Sequence, residues 1–296
     1  MSNPALLNQI VQILDQLPDV PVVALEVNRL LDDPDVSAQD LADVISRDPS
    51  LTSKVLKLCN SAEYGFSRKI ATISEAVSIL GQKELKRIIF VIISHSLLSR
   101  PIEGYALEAG ALWENALTCA VYAKHIAKSL RPDNTKLADL AFTGALLRDI
   151  GKIVLTHYVA THAKQIEAMA VANKLSYAKA EEVVLGMSHT DVGRVVAERF
   201  NFPQTLLSAI CYHHHPGKMP DGTNKETRDM VCMVHLADAF TMLSGEGLGV
   251  DGLMYPLDEA VFDQLNIGRD TPFFESLYND LLELRGTINN MNQMVR

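Results

Sequence analysis

Leu146-Leu147-Arg148-Asp149-Ile150-Gly151-Lys152 is the stretch on which the reading of this chain turns. It sets two adjacent charges among apolar residues, between one helical pattern over about 135–147 and another over about 151–157. The guanidinium of Arg148 stays protonated in a protein and offers no lone pair to a metal. It suits a carboxylate, such as Asp149 or the later Asp238, or a ligand's phosphate, because its planar fork makes bidentate contacts.

Outward from that stretch the chain is helical in both directions. Further helices are expected at about 107–130, 160–173, 177–184, 188–200, 203–213 and 227–242. Toward the N-terminus, Leu6, Leu7, Ile10, Ile13, Leu14 and Leu17 recur at helix spacing, and Val23, Leu25, Val27 and Leu30 form a second helix. Ser37 caps the next one, with Asp40 three residues on as an acidic capping box. Asp48-Pro49 opens another with a cap and an N1 proline. Residues 73–98 form two helices broken around Gly81. The run Ile88-Ile89-Phe90-Val91-Ile92-Ile93 can also be read as a strand, but its helical neighbours favour helix. Arg100-Pro101-Ile102-Glu103-Gly104 marks the boundary between lobes. The expected organisation is an all-α, two-lobed helical bundle: an N-terminal lobe over 1–100, a second lobe over 101–243, and a glycine-rich loop with a C-terminal helix over 244–296. That last amphipathic helix is expected from about Phe273 to Met294.

Of the 296 residues, 48% are apolar and 21% charged, a balance that supports an ample core. No apolar run approaches the roughly 20 residues that cross a bilayer. Met1-Ser2-Asn3-Pro4 lacks the basic and apolar regions of a signal peptide. Cys59, Cys119, Cys211 and Cys232 form no CxxC pair and read as reduced thiols of a cytoplasmic protein. The net charge of −9 argues against nucleic acid as a partner. The segment from Ser37 to Leu58 has the outline of a helix-turn-helix, yet its second helix carries only Lys54 and Lys57 beside Asp40, Asp43 and Asp48. Packing within a bundle is the better reading.

Four motifs follow one another in the N-terminal lobe: Leu17-Pro18-Asp19-Val20-Pro21, Ile45-Ser46-Arg47-Asp48-Pro49-Ser50-Leu51, Lys57-Leu58-Cys59-Asn60-Ser61-Ala62 and Ala76-Val77-Ser78-Ile79-Leu80-Gly81. Together with the Arg148-Asp149 segment they resemble the HDOD family, the HD-related output domains of bacterial signalling proteins, over roughly residues 10–240. The resemblance implies an all-helical regulatory module akin to the HD and HD-GYP phosphohydrolases, usually without demonstrated hydrolysis.

Set against those catalytic relatives, the second lobe is altered. Their metal-binding histidine on the helix Leu112-Trp113-Glu114-Asn115-Ala116 is matched by Asn115, and the His of their His-Asp pair by Arg148. The Asp of that pair is matched by Asp149 and the closing Asp by Asp238. The additional histidines of the HD-GYP branch are matched by His189, within Gly186–Gly193, and by His213 and His214 of Tyr212-His213-His214-His215-Pro216. The glycine-tyrosine-proline loop is missing there, and Met254-Tyr255-Pro256 sits in the wrong place. Asp149, His189, His213 and His214, with Asp238, are the candidate metal ligands, a set that suits one divalent ion. Arg148 and Asn115 are candidate ligand-binding residues. Loss of two ligand histidines removes one ion of a two-metal mechanism, so no residue is assigned as catalytic.

Plainer readings stand beside these. The three histidines can simply favour the negative end of a helix dipole. His95 and His235 read as core, His157 and His162 as surface. Tyr64-Gly65-Phe66-Ser67, ahead of Arg68 and Lys69, is either a recognition surface or a pair of rings folded back on the first lobe. The last helix either seals the bundle or meets a partner. The expectation is a non-catalytic signal-transduction module in which a binding event in the cleft between lobes changes the surface offered to a signalling protein partner. A small phosphorylated ligand is compatible with it. The alternative is a metal-dependent phosphohydrolase acting on a nucleotide or cyclic dinucleotide through an altered site.

Overall fold

The structure, a computed structural model, describes residues 37–60, 68–245, 249, 256–269 and 271–295. The helices expected before residue 37, the Tyr64–Ser67 loop, most of the 244–252 loop and Met254-Tyr255 lie outside the described residues. Those described are all-α, with no strand among them beyond a single bridge between Ile102 and Leu107. No helix among them is long and apolar enough to cross a membrane. By contacts they form two compact units, one of Leu98–Leu284 and one in which the described part of Leu17–Leu97 joins the terminal segment from Arg285.

The smaller unit follows its local signals. Helix α1 (Ala38–Ser46) begins with the reciprocal capping box of Ser37 and Asp40, and α2 (Pro49–Cys59) is capped by Asp48 with proline in its first turn. α3 (Ile73–Leu80) ends at Gly81, whose φ of +79° closes the turn into α4 (Gln82–Leu98). The apolar 88–93 run is helical, with Ile88, Ile89, Val91 and Ile92 buried. Asn60 clasps Ile70 with both ends of its amide: Oδ1 accepts the Ile70 N–H at 2.7 Å and Nδ2 donates to its carbonyl at 2.8 Å.

The larger unit holds the candidate site. After a 3₁₀ turn (Glu103–Tyr105) come α5 (Ala111–Leu130), α6 (Thr135–Leu147), α7 (Gly151–Asn173), α8 (Tyr177–Leu185), α9 (His189–Arg199), α10 (Gln204–Tyr212), a second 3₁₀ turn (Pro216–Lys218), α11 (Lys225–Ser244), α12 (Ala260–Leu265) and α13 (Thr271–Glu283). α5, α6 and α11 pack on one another, and α5 and α11 are buried over most of their lengths. Two expectations change. α7 is continuous where a break was expected near 158–159, since neither glycine nor proline interrupts it there. The single helix expected over 273–294 is two, with α14 (Arg285–Val295) starting after a turn at Leu284 and packing on α2. Gly286, a weak helix former, stands in the first turn of α14.

One close approach sets the site. A Cβ on Gly151 would lie 1.9 Å from the His189 carbonyl oxygen and 2.6 Å from the Gly193 nitrogen. Glycine at 151 therefore lets the N-termini of α7 and α9 meet backbone to backbone, which carries Asp149 to His189. Gly151→Ala is expected to lower the unfolding free energy by roughly 3 kcal/mol in urea titration, because backbone must move to admit the methyl group. Gly222→Ala, at a site where nothing lies within 4 Å, should leave it unchanged.

Candidate functional site

The site gathers on ends of helices. Asn115 comes from α5 and Asp238 from α11, Arg148 and Asp149 form the tight turn between α6 and α7, and Lys152 follows in the first turn of α7. His189 is the first residue of α9, and His213 and His214 follow the last residue of α10. Arg148, Asp149, Lys152, His189, His213, Asn115 and Asp238 are all buried, and His214 is partly exposed.

Arg148 is completely buried. Its Nε and Nη2 reach Asp238 Oδ1 at 2.9 and 2.6 Å. Nη1 donates to the Ala145 carbonyl at 3.0 Å. Nη2 also donates to Asn115 Oδ1 and lies 3.4 Å from Asp149 Oδ2. Burial works against this charge, but Asp238 and Asp149 outweigh it and push the guanidinium further toward its protonated form. The fork that matched a ligand's phosphate in the sequence is thus directed at groups of the protein itself. Asn115, Asp149 and Asp238, three positions matched to ligands in the catalytic relatives, surround a guanidinium.

The histidines lie on the other oxygen of Asp149. Its Oδ1 is 2.9 Å from Lys152 Nζ, 3.4 Å from His189 Nε2 and 3.7 Å from His213 Nε2. Burial pushes this carboxyl up, yet Lys152, Arg148 and His189 outweigh it and hold it well below the usual carboxylate range. His189 Nδ1 is 2.8 Å from Glu181 Oε2, which also accepts the His189 backbone N–H at 2.8 Å. The imidazole is held above its ordinary pKa because Glu181 outweighs the effect of burial. His213 Nδ1 faces two carbonyl oxygens, Ala209 at 3.1 Å and Ile210 at 3.0 Å. Carbonyls only accept, so Nδ1 carries the proton and Nε2 is left as the acceptor nitrogen toward Asp149. Burial pushes His213 down to about 4 and, with His213 and His189 adding to it, His214 well below the imidazole range. His214 Nε2 is 3.0 Å from His189 Nε2.

One ligand atom from each of Asp149, His189, His213 and His214 lies within 4.8 Å of the others. One carboxylate and three imidazoles, two with a hydrogen-bonded Nδ1 and Nε2 turned inward, fit a single divalent ion. Asp238 is not among them, because its side chain belongs to Arg148. Lys152 competes for the shared oxygen of Asp149.

His235, read as core, is a structural connector. Its Nδ1 donates to the His213 carbonyl at 2.6 Å and its Nε2 accepts the Asp258 N–H at 2.9 Å. Glu181 was missed by sequence reasoning, although Tyr177, Ala178, Glu181 and Leu185 share the buried face of α8. Lys152 closes the Leu146–Lys152 stretch, and its contact with Asp149 has only the i, i+3 spacing as a signal.

With this arrangement in hand, the relationships of the chain are clear. It belongs to the HDOD family, whose HDOD domain profile matches residues 17–216. An uncharacterized protein of Treponema pallidum is 28% identical over 235 residues, 79% of this chain, and the chain spans 44% of that relative's length. An HDOD domain protein of unknown function from Geobacter sulfurreducens superposes with a TM-score of 0.70 at 27% identity, over 93% of each chain. A candidate phosphohydrolase from Shewanella amazonensis shares the fold, with a TM-score of 0.70 at 23% identity over 97% of this chain and 98% of its own.

Arg148→Met is expected to cost about 3–5 kcal/mol of stability in urea unfolding, since it removes the cation that pairs with buried Asp238 and leaves Asp149 to Lys152 alone. Arg148→Lys should recover only part of it, because one ammonium cannot span Asn115, Asp149 and Asp238. Glu181→Gln should weaken Zn²⁺ or Mn²⁺ binding about 10–100-fold, measured by competition with a chromophoric chelator, by releasing the His189 ring.

Proposed function

We propose that this protein is a non-catalytic, cytoplasmic signal-transduction module of the HDOD type, working by binding a ligand or a signalling protein. One observation carries the reading: the guanidinium of Arg148 sits among Asn115, Asp149 and Asp238. Hydrolysis of a phosphoester by a two-ion site needs one ion to activate water and both to neutralise the phosphate, with the ions about 3.5–4 Å apart. A guanidinium neutralises the carboxylates but cannot bind or activate a water in that way. The half of the site it occupies is charge-compensated and closed. The remaining half, Asp149 with His189, His213 and His214, is a receptor for one divalent ion or for a small phosphorylated ligand beside Lys152.

A second reading, a phosphohydrolase with a mononuclear site, is favoured by that same four-donor cluster. Asp149, His189, His213 and His214 would hold an ion that would supply a Lewis acid, and Lys152 would supply positive charge beside it.

Elemental analysis of protein purified without chelators should find no more than about one metal per chain, lost in His213→Ala/His214→Ala, while Asn115→His/Arg148→His should take up a second. Wild type is expected to turn over neither bis(p-nitrophenyl) phosphate nor a cyclic dinucleotide under any of Mn²⁺, Fe²⁺ or Zn²⁺. Metal-dependent turnover that vanishes in Asp149→Ala would reverse the choice between the two readings.

A further inference from the structure

The segment that leaves α4 closes on itself before α5 begins. Ile102 and Leu107 exchange backbone hydrogen bonds at 2.9 and 3.3 Å, Glu103–Tyr105 make one 3₁₀ turn, and Ala106 takes the left-handed conformation at φ +53°. The loop is pressed onto α7. A Cβ on Gly104 would lie 2.6 Å from the Thr156 carbonyl oxygen and 2.8 Å from the Ala160 nitrogen, and the Gly104 N–H donates to Thr156 Oγ1 at 3.1 Å. Glycine at 104 permits that contact, and the contact delivers the next side chain, Tyr105.

Tyr105 is 0% exposed. Lys152 Nζ lies over its ring, 5.6 Å from the centroid. The ring stands edge-on to His189 at 6.4 Å and tilted against Tyr177 at 5.7 Å. An aromatic face is one of few apolar surfaces that stabilise a buried ammonium. Here it covers the ammonium that holds Asp149. The partly exposed member of the cluster, His214, instead borders a cavity of about 180 Å³ lined also by Ser188, Thr190, Cys211 and Lys218.

We infer that Tyr105 is a gate: its ring shuts the Lys152, Asp149 and His189 side of the site, and the loop of residues 101–107 moves it. The inference rests on the reading of this cluster as the ligand-receiving site, and it names the regulation of that site. Opening exposes Lys152 and Asp149 together, and closing dries them. Control of access then requires no displacement of any of the four ligand groups.

The test is modification of the full chain by diethyl pyrocarbonate at neutral pH, with His189 and His214 followed separately by peptide mass mapping. In wild type His189 should react far more slowly than His214. Tyr105→Ala should raise the His189 rate relative to His214 about tenfold or more, well below the melting temperature, while Tyr105→Phe behaves as wild type. Thr156→Val, which removes a loop anchor without touching the site, should raise the ratio by a smaller factor. It serves as the readout if Tyr105→Ala fails to fold. A fixed structural aromatic can also expose His189 through the cavity its truncation leaves, but it predicts no rise in Thr156→Val, where the ring is intact. An unchanged ratio in Thr156→Val, or a rise in Tyr105→Phe equal to that in the alanine variant, overturns the gate. Added Zn²⁺ separates the two ideas: accelerated modification of Tyr105→Ala that Zn²⁺ fails to suppress supports the gate and removes the metal reading of the cluster.

Discussion

A buried cation cannot stand alone, and Arg148 is completely buried. Taking a charge out of water costs several kcal/mol even after relaxation, so each donor of the guanidinium must find a fixed acceptor. Those acceptors come from α5 through Asn115, from the last turn of α6 through the Ala145 carbonyl, from the α6–α7 turn through Asp149, and from α11 through Asp238. These elements also make the apolar centre of the larger unit. The register of α5 against α11 is thus tied to a planar five-donor group with little tolerance for sliding. The metal of the catalytic relatives is expected to draw the same positions together. The guanidinium imposes a comparable geometric constraint with donors in place of a metal.

Asp149 is the hinge between the two halves. One oxygen faces Arg148 and the other faces Lys152, His189 and His213. Two buried cations, Arg148 and Lys152, face the buried side chains of Asp149, Asp238 and Glu181, and Glu181 holds the His189 imidazole above its ordinary pKa. A divalent ion entering the histidine half meets Lys152 already on the shared oxygen of Asp149.

Much of this was legible in the chain, for identifiable reasons. Capping signals are local, and Ser37 with Asp40, Asp48 with Pro49, and Gly81 fall where their side chains or backbone freedom demand. The need of Arg148 for carboxylates follows from its chemistry, and both candidates, Asp149 and Asp238, are its partners. The convergence of His189, His213 and His214 on Asp149 came from the family resemblance; helical periodicity says nothing about which helix ends meet. Glu181 was hidden because it stands beside Glu182 in what reads as a solvated acidic pair. Only the shared face of Tyr177, Glu181 and Leu185 separates the buried one from the exposed one. Tyr105 gave no signal, because the turn that buries it depends on a backbone contact between Gly104 and α7, remote in sequence. The break at Leu284 was missed because apolar spacing continues across it.

The guanidinium half of the site is held by fixed acceptors, whereas the histidine half is open to a change of occupancy. Binding requires only that a filled and an empty pocket differ in energy and that the difference reach another surface. The His213 carbonyl is held by His235, His235 by Asp258, and the Asp258 carboxylate by the N–H groups of Gly217 and Ala260. The backbone of the histidine run is thereby fastened to the start of α12. Any ligand that moves the His213 backbone must work against that chain of bonds.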